Sequence, residues 1–149
     1  MTRTLWMLVA PVLGALALAG CGGGGGDGGG GVQQGGELGS EAAVKLEEVN
    51  NSNQFGTASL FEEEGQVRVL TDTEGPFDRE FEQPAEILKG TCPEPTGEPV
   101  HELNTLQDGV SETTLDTTIA ELQAGGHVVV VRKSPADETI VQCGPIPPA

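Results

Sequence analysis

The chain has 149 residues, 23 acidic and 7 basic, for a formal charge of −16, and its aromatic content is one Trp and four Phe with no Tyr. That length allows one ordinary domain. The charge and aromatic counts exclude a nucleic-acid binder, which needs clustered Lys and Arg on phosphate and rings for stacking. Beyond residue 20 no apolar run exceeds a few residues, which excludes a multi-span membrane protein.

Residues 1–20 read as a processing signal. Arg3 supplies a positive start, and Leu5 to Ala19 is a 15-residue apolar stretch, short for a bilayer span. Leu18-Ala19-Gly20-Cys21 resembles the bacterial lipobox, in which small residues precede a cysteine that is lipidated and becomes the first residue of the mature protein. The resemblance implies an extracytoplasmic lipoprotein of the bacterial cell envelope, held to the membrane through acyl chains on Cys21. Trp6 would leave with the signal.

Residues 21–41 then form a lipidated cysteine and linker, with 12 glycines among the 18 residues from Gly22 to Gly39. A Gly-rich coil of about 20 residues reaches roughly 25 Å. A phosphate-cradling loop is set aside, because the preceding strand, following helix and Lys that it requires are missing.

Residues 42–149 are the expected folded domain, and their hydrophobic period is two. Val44 and Leu46 alternate with charged residues, and Phe55 to Glu62 and Gln66 to Thr71 flank the hairpin signal Glu64-Gly65. The Glu62-Glu63-Glu64 run reads as a solvated strand end and turn, and Asn50-Asn51-Ser52 matches a glycosylation sequon with little reason for use. Shorter strand candidates lie at Arg79–Phe81, Ile87–Leu88, Val100–Leu103 and Glu112–Leu115. Thr118 to Gln123 is the sole helical stretch. His127 to Arg132 holds four consecutive valines, apt for a buried strand, and Thr139 to Cys143 is the last strand. Turn signals recur at Gly75-Pro76, Pro93 to Gly97, Asp108-Gly109, Gly125-Gly126 and Ser134-Pro135. Seven or eight short strands with regular turns predict an all-β domain, an antiparallel Greek-key sandwich or barrel.

With Cys21 committed to lipid, Cys92 and Cys143 remain, and an even pair outside the cytoplasm reads as a disulfide. Metal binding by the pair lacks a CxxC spacing or a nearby His.

Three stretches in order resemble the Cu/Zn superoxide dismutase superfamily, including the related chordin-type domains. Pro84 to Cys92 is similar to the segment where two copper-binding histidines, one residue apart, precede a Gly and the loop cysteine. Gly126 to Ser134 is similar to the valine-rich strand ending in another copper histidine, and Val141 to Ile146 to the strand with the partner cysteine. Phe55-Gly56-Thr57-Ala58 fits an early strand of the same superfamily.

The resemblance implies the fold and the Cys92–Cys143 bridge, but the copper positions hold Glu86, Leu88 and Arg132. The position of the superfamily's substrate-guiding arginine falls on Ile140. A carboxylate, an aliphatic chain and a guanidinium cannot replace imidazoles in copper redox chemistry, so no metal or other cofactor is expected. The resemblance puts Glu86 and Arg132 at neighbouring places of the vacated site, where they either form an ion pair or stand as two unconnected surface charges.

The remaining candidates are weak. His101 and His127 read as strand-surface histidines, and Ser134, His127 and Asp137 make a triad only on paper. Asp72, Glu74 and Asp78 lack EF-hand spacing for calcium. The expected function is therefore a non-catalytic, membrane-anchored binding or structural module. Its competitors are a divergent dismutase with displaced ligands and a weak extracellular cation binder. The domain carries 20 acidic against 6 basic side chains, a net −14, which favours a basic protein or small-ligand partner.

Overall fold

The computed structural model describes residues 41–149. Eight strands and one short helix follow in chain order: β1 (Glu41–Glu48), β2 (Phe55–Glu63), β3 (Gln66–Glu74), β4 (Gln83–Lys89), β5 (Pro99–Leu106), β6 (Val110–Leu115), α1 (Ile119–Ala124), β7 (His127–Ser134) and β8 (Asp137–Pro145). The segment around Arg79–Phe81, a strand candidate by composition, is instead part of the turn-rich connection from β3 to β4. Its Arg79 and Phe81 side chains are solvent-exposed, so the period-two signal there has no face to bury.

All strand pairs are antiparallel, in the order β5-β4-β7-β8-β1-β2-β3-β6. The sheet curls until its two edge strands, β5 and β6, meet as a hairpin. Gln107 and Val110 exchange backbone hydrogen bonds at 3.0 and 3.1 Å across Asp108-Gly109. Farther along, side chains replace the ladder: Thr113 Oγ1 accepts from the Asn104 amide at 2.8 Å, and Asn104 Nδ2 donates to the Glu112 carbonyl at 2.6 Å. The result is a nearly closed barrel whose last seam is partly side-chain made.

Local chemistry explains the turns. Glu64 and Gly65 both have positive φ, as do Asp108 and Gly109, the combination that two-residue hairpin turns require. Asn50, Asn51 and Asn53 also sit at φ 53–56°, the left-handed region that asparagine tolerates better than most residues. The Asn-rich stretch is thus the β1–β2 turn.

The barrel interior is divided along its axis. Toward the α1 end it is apolar, with Leu60, Val67, Leu115, Ile119 and Leu122 buried together. Toward the end that carries the β1–β2, β3–β4, β5–β6 and β7–β8 connections, the inward positions turn polar: Gln54, Thr71, Thr73, Gln83, Ser111 and Gln142 are all buried. The four valines of β7 bury both faces of that strand. Val129 and Val131 enter the interior, while Val128 and Val130 join Val49, Leu88 and Cys143 in a second cluster on the outside of the sheet. A central strand covered on both sides has no polar face, which is why the run lacks alternation.

Candidate functional site

The outer cluster is where the Glu86, Leu88 and Arg132 positions fall. Glu86 and Leu88 are two residues apart on β4, hence on one face, and they pair in register with Val130 and Val128 of β7. Arg132 enters from the same strand β7, next to a bulge against β8. Its Nη2 donates to Glu86 Oε2 at 3.1 Å, and its Nη1 donates to the Glu138 carbonyl at 2.8 Å. One guanidinium therefore ties β4, β7 and β8 together. The two side chains are mostly covered, at 21% exposure for Arg132 and 18% for Glu86.

Leu88 is buried against Val128 and Val130, and Cys92 and Ile140 pack on the same cluster. Cys92, in the β4–β5 loop, lies at disulfide distance from Cys143 in β8, with S–S 2.02 Å and Cα–Cα 5.7 Å. The loop is thereby held over the cluster. Ile140 presents its carbonyl to Asn50 Nδ2 at 2.9 Å and its side chain to the apolar cluster.

This donor set does not fit copper or zinc. Leu88 offers no lone pair, Arg132 is a permanent cation with donors only, and the Glu86 carboxylate already accepts from that cation. Among the described residues no group of three His, Cys, Asp or Glu side chains is placed to hold a metal ion. Cys21 lies outside the described residues.

One of the two histidines differs from expectation. His101 is half-buried on β5, in register with Ile87. His127 is not a surface residue but is buried, and its Nδ1 donates to the Leu122 carbonyl at 2.8 Å. The ring fills the space beside Gly125 and ties the C-terminal end of α1 to the start of β7. Ser134 and Asp137 sit at the other end of β7, about 23 Å of strand away, so the three residues cannot act as a triad. Instead Ser134 Oγ accepts from the Asp137 amide at 3.1 Å, within the β7–β8 turn.

Asp137 itself is held well below the usual carboxylate range, at about 2, by hydrogen bonds from Thr139 and from Lys133. Glu62 is also more than a solvated strand end: its Oε2 accepts from the Ile119 amide at 2.9 Å, the first turn of α1. Thr118 and Glu121 complete a reciprocal capping box there. Hydrogen bonds from Thr117 and Thr118 lower the Glu121 carboxyl.

At the polar end of the barrel three glutamines form a cluster that composition did not single out. Gln54 Oε1 accepts from Gln83 Nε2 at 3.0 Å and from Gln142 Nε2 at 3.4 Å, while Gln54 Nε2 donates to the Pro76 carbonyl at 3.2 Å. Gln83 Oε1 and Gln142 Oε1 are buried with no hydrogen-bonding partner. The only sequence signal for Gln83 is parity, since it shares a face of β4 with the buried Ala85 and Ile87.

Set against family models, curated proteins and solved structures, the chain matches none.

Proposed function

We propose that the chain is an extracytoplasmic bacterial lipoprotein, anchored through Cys21, whose barrel is related to the Cu/Zn superoxide dismutase superfamily and works as a non-catalytic binding or structural module. The observation that carries this reading is the Glu86–Arg132 pair beside buried Leu88. A site rebuilt around a guanidinium and an aliphatic chain has no electron-transfer ligand, and its one carboxylate, Glu86, is held by that guanidinium. What it retains is cohesion among β4, β7 and β8 and the loop above them. The linker before β1, from residue 22 on, would hold the acidic domain away from anionic headgroups.

Two measurements test the reading. The full chain, expressed with its leader in a bacterial host and extracted in detergent, should give a mass equal to residues 21–149 plus acyl-glycerol. A mature N-terminus downstream of Cys21, unmodified, would refute the anchor. Protein refolded with Cu²⁺ and Zn²⁺ should emerge without stoichiometric metal and without dismutase activity; copper at one equivalent with superoxide turnover would refute the loss of catalysis.

A further inference from the structure

From the glutamine cluster outward, we infer that the polar end of the barrel is a binding site for a small organic cation bearing N–H donors, an alkylammonium or guanidinium compound. Four buried side-chain oxygens lack a hydrogen-bonding partner among the described residues: Thr71 Oγ1, Gln83 Oε1, Ser111 Oγ and Gln142 Oε1. All four belong to the polar half of the interior. Thr71 and Ser111 face each other across β3 and β6, and Gln83 and Gln142 are joined through Gln54. Buried polar atoms are nearly always paired, because each one left without a partner costs on the order of 1–3 kcal/mol. Two of the four are amide carbonyl oxygens, which accept and never donate, so their complement is a donor.

A cleft of about 340 Å³ opens from solvent at this end, and of the four residues with unpaired oxygens it is Gln83 that lines it, with Gln142 behind it through Gln54. Gln54 and Gln83, the two buried residues among those lining it, form its deep side. Phe77 and Phe81 supply aromatic walls, and Asp78 and Asp137 supply negative charge. Lys133, the one cation on the rim, is neutralised by Asp137 at 3.0 Å, which leaves the cleft at a net −1.

The electronegative ring faces favour a cation over a neutral amide. Phe77 already carries the Arg79 guanidinium 5.8 Å from its ring centre. The net −14 of the domain adds a long-range attraction of the same sign. The unpaired Gln83 acceptor at depth, the aromatic walls and an anionic rim together select a cation with N–H groups at its head. This inference stands on the barrel end alone and needs neither the lipid anchor nor the dismutase resemblance.

The test is an NMR titration of the isotope-labelled full chain at about 150 mM ionic strength, where loose surface attraction is screened. Methylguanidinium and n-butylammonium should shift the Gln54 and Gln83 side-chain amides and the Phe77 backbone amide saturably. Tetramethylammonium, a cation with no N–H, should bind at least about tenfold more weakly, the margin of a charge-assisted hydrogen bond. Gln83→Leu should weaken methylguanidinium by a similar factor; because it removes a buried unpaired oxygen and also the bond to Gln54, its amide spectrum is first checked for the native fold.

Should Gln83→Leu fail to fold, Phe81→Ala serves in its place. Phe81 is 55% exposed, so its truncation should weaken binding severalfold without loss of structure. Non-saturating shifts, equal shifts from tetramethylammonium, or affinities unchanged in both variants would overturn the site. None of those results would bear on the anchor or on the lost metal chemistry, which the mass and metal measurements decide separately.

Discussion

At the scale of single residues, the Glu86–Arg132 pair illustrates how burial sets the worth of a charge. Exposed ion pairs contribute about 0–1 kcal/mol, whereas removing one partner of a fully buried pair costs about 3–5 kcal/mol. With each side chain about one-fifth exposed, this pair lies between those limits. Glu86→Leu and Arg132→Leu should each destabilise the domain by about 1–2 kcal/mol, since each strands the opposite charge beside an apolar cluster.

The double variant should recover most of that loss, because two leucines extend the packing of Leu88, Val128 and Val130. Urea denaturation of the four proteins closes the cycle, and additive losses in the double variant would show that the two charges are uncoupled. His127 makes the opposite point. Its position at the head of a valine strand carries the same polarity in sequence as a surface histidine, and only the Leu122 carbonyl opposite its ring lets it be buried.

Elements were legible where one local rule governs them. The alternation of β1 and β3, the hairpin at Glu64-Gly65 and the unbroken valines of β7 each follow from a period or a turn preference within ten residues. Arg79–Phe81 misled because three residues of alternation are too few to distinguish a strand from a turn. The helix α1 is six residues, too short to hold itself together by backbone hydrogen bonds alone.

Its start depends on Thr118 Oγ1 accepting from the Glu121 amide, on the Glu121 carboxylate accepting from the Thr118 amide, and on Glu62 of β2 accepting from the Ile119 amide. Thr118→Ala should cost about 1 kcal/mol in global stability. Hydrogen exchange should show faster exchange at Glu121 and Leu122, and unchanged rates there would mean that the cap is idle. The Glu62 contribution was invisible in sequence, where it is one of three consecutive glutamates and 57 positions from its partner.

For the molecule as a whole, the chief constraint is the cross-link between loop and sheet. Cys92 and Cys143 are 51 positions apart and enclose β5, β6, α1, β7 and the first part of β8. Closing a loop of that length in the unfolded chain is worth about 4 kcal/mol in the chain-entropy model. Cys92→Ser combined with Cys143→Ser should therefore lower the unfolding free energy by about that amount, less any relaxation of the folded loop. A denaturation midpoint within error of the wild type would show that the bridge contributes nothing. The same variants carry a second readout, since loss of the cross-link should speed proteolysis between Thr91 and Glu98 before it affects the barrel strands.

Patterns that act within a few residues were sufficient for the all-β class, for most of the strands and for the turns, while the pairing of the two domain cysteines came from their count. Periodicity and turn preference depend on neighbours along the chain, and they survive without knowledge of the fold. The character of the surfaces was settled only by packing. Glu86 and Arg132 are 46 positions apart and Gln54 and Gln142 are 88, and no local rule couples residues at those separations. Curling eight strands until β5 meets β6 turned some inward positions into an apolar core and others into a polar chamber. Which of the two a residue entered depended on how far along the barrel axis its strand carried it, a coordinate that the hydrophobic period does not contain.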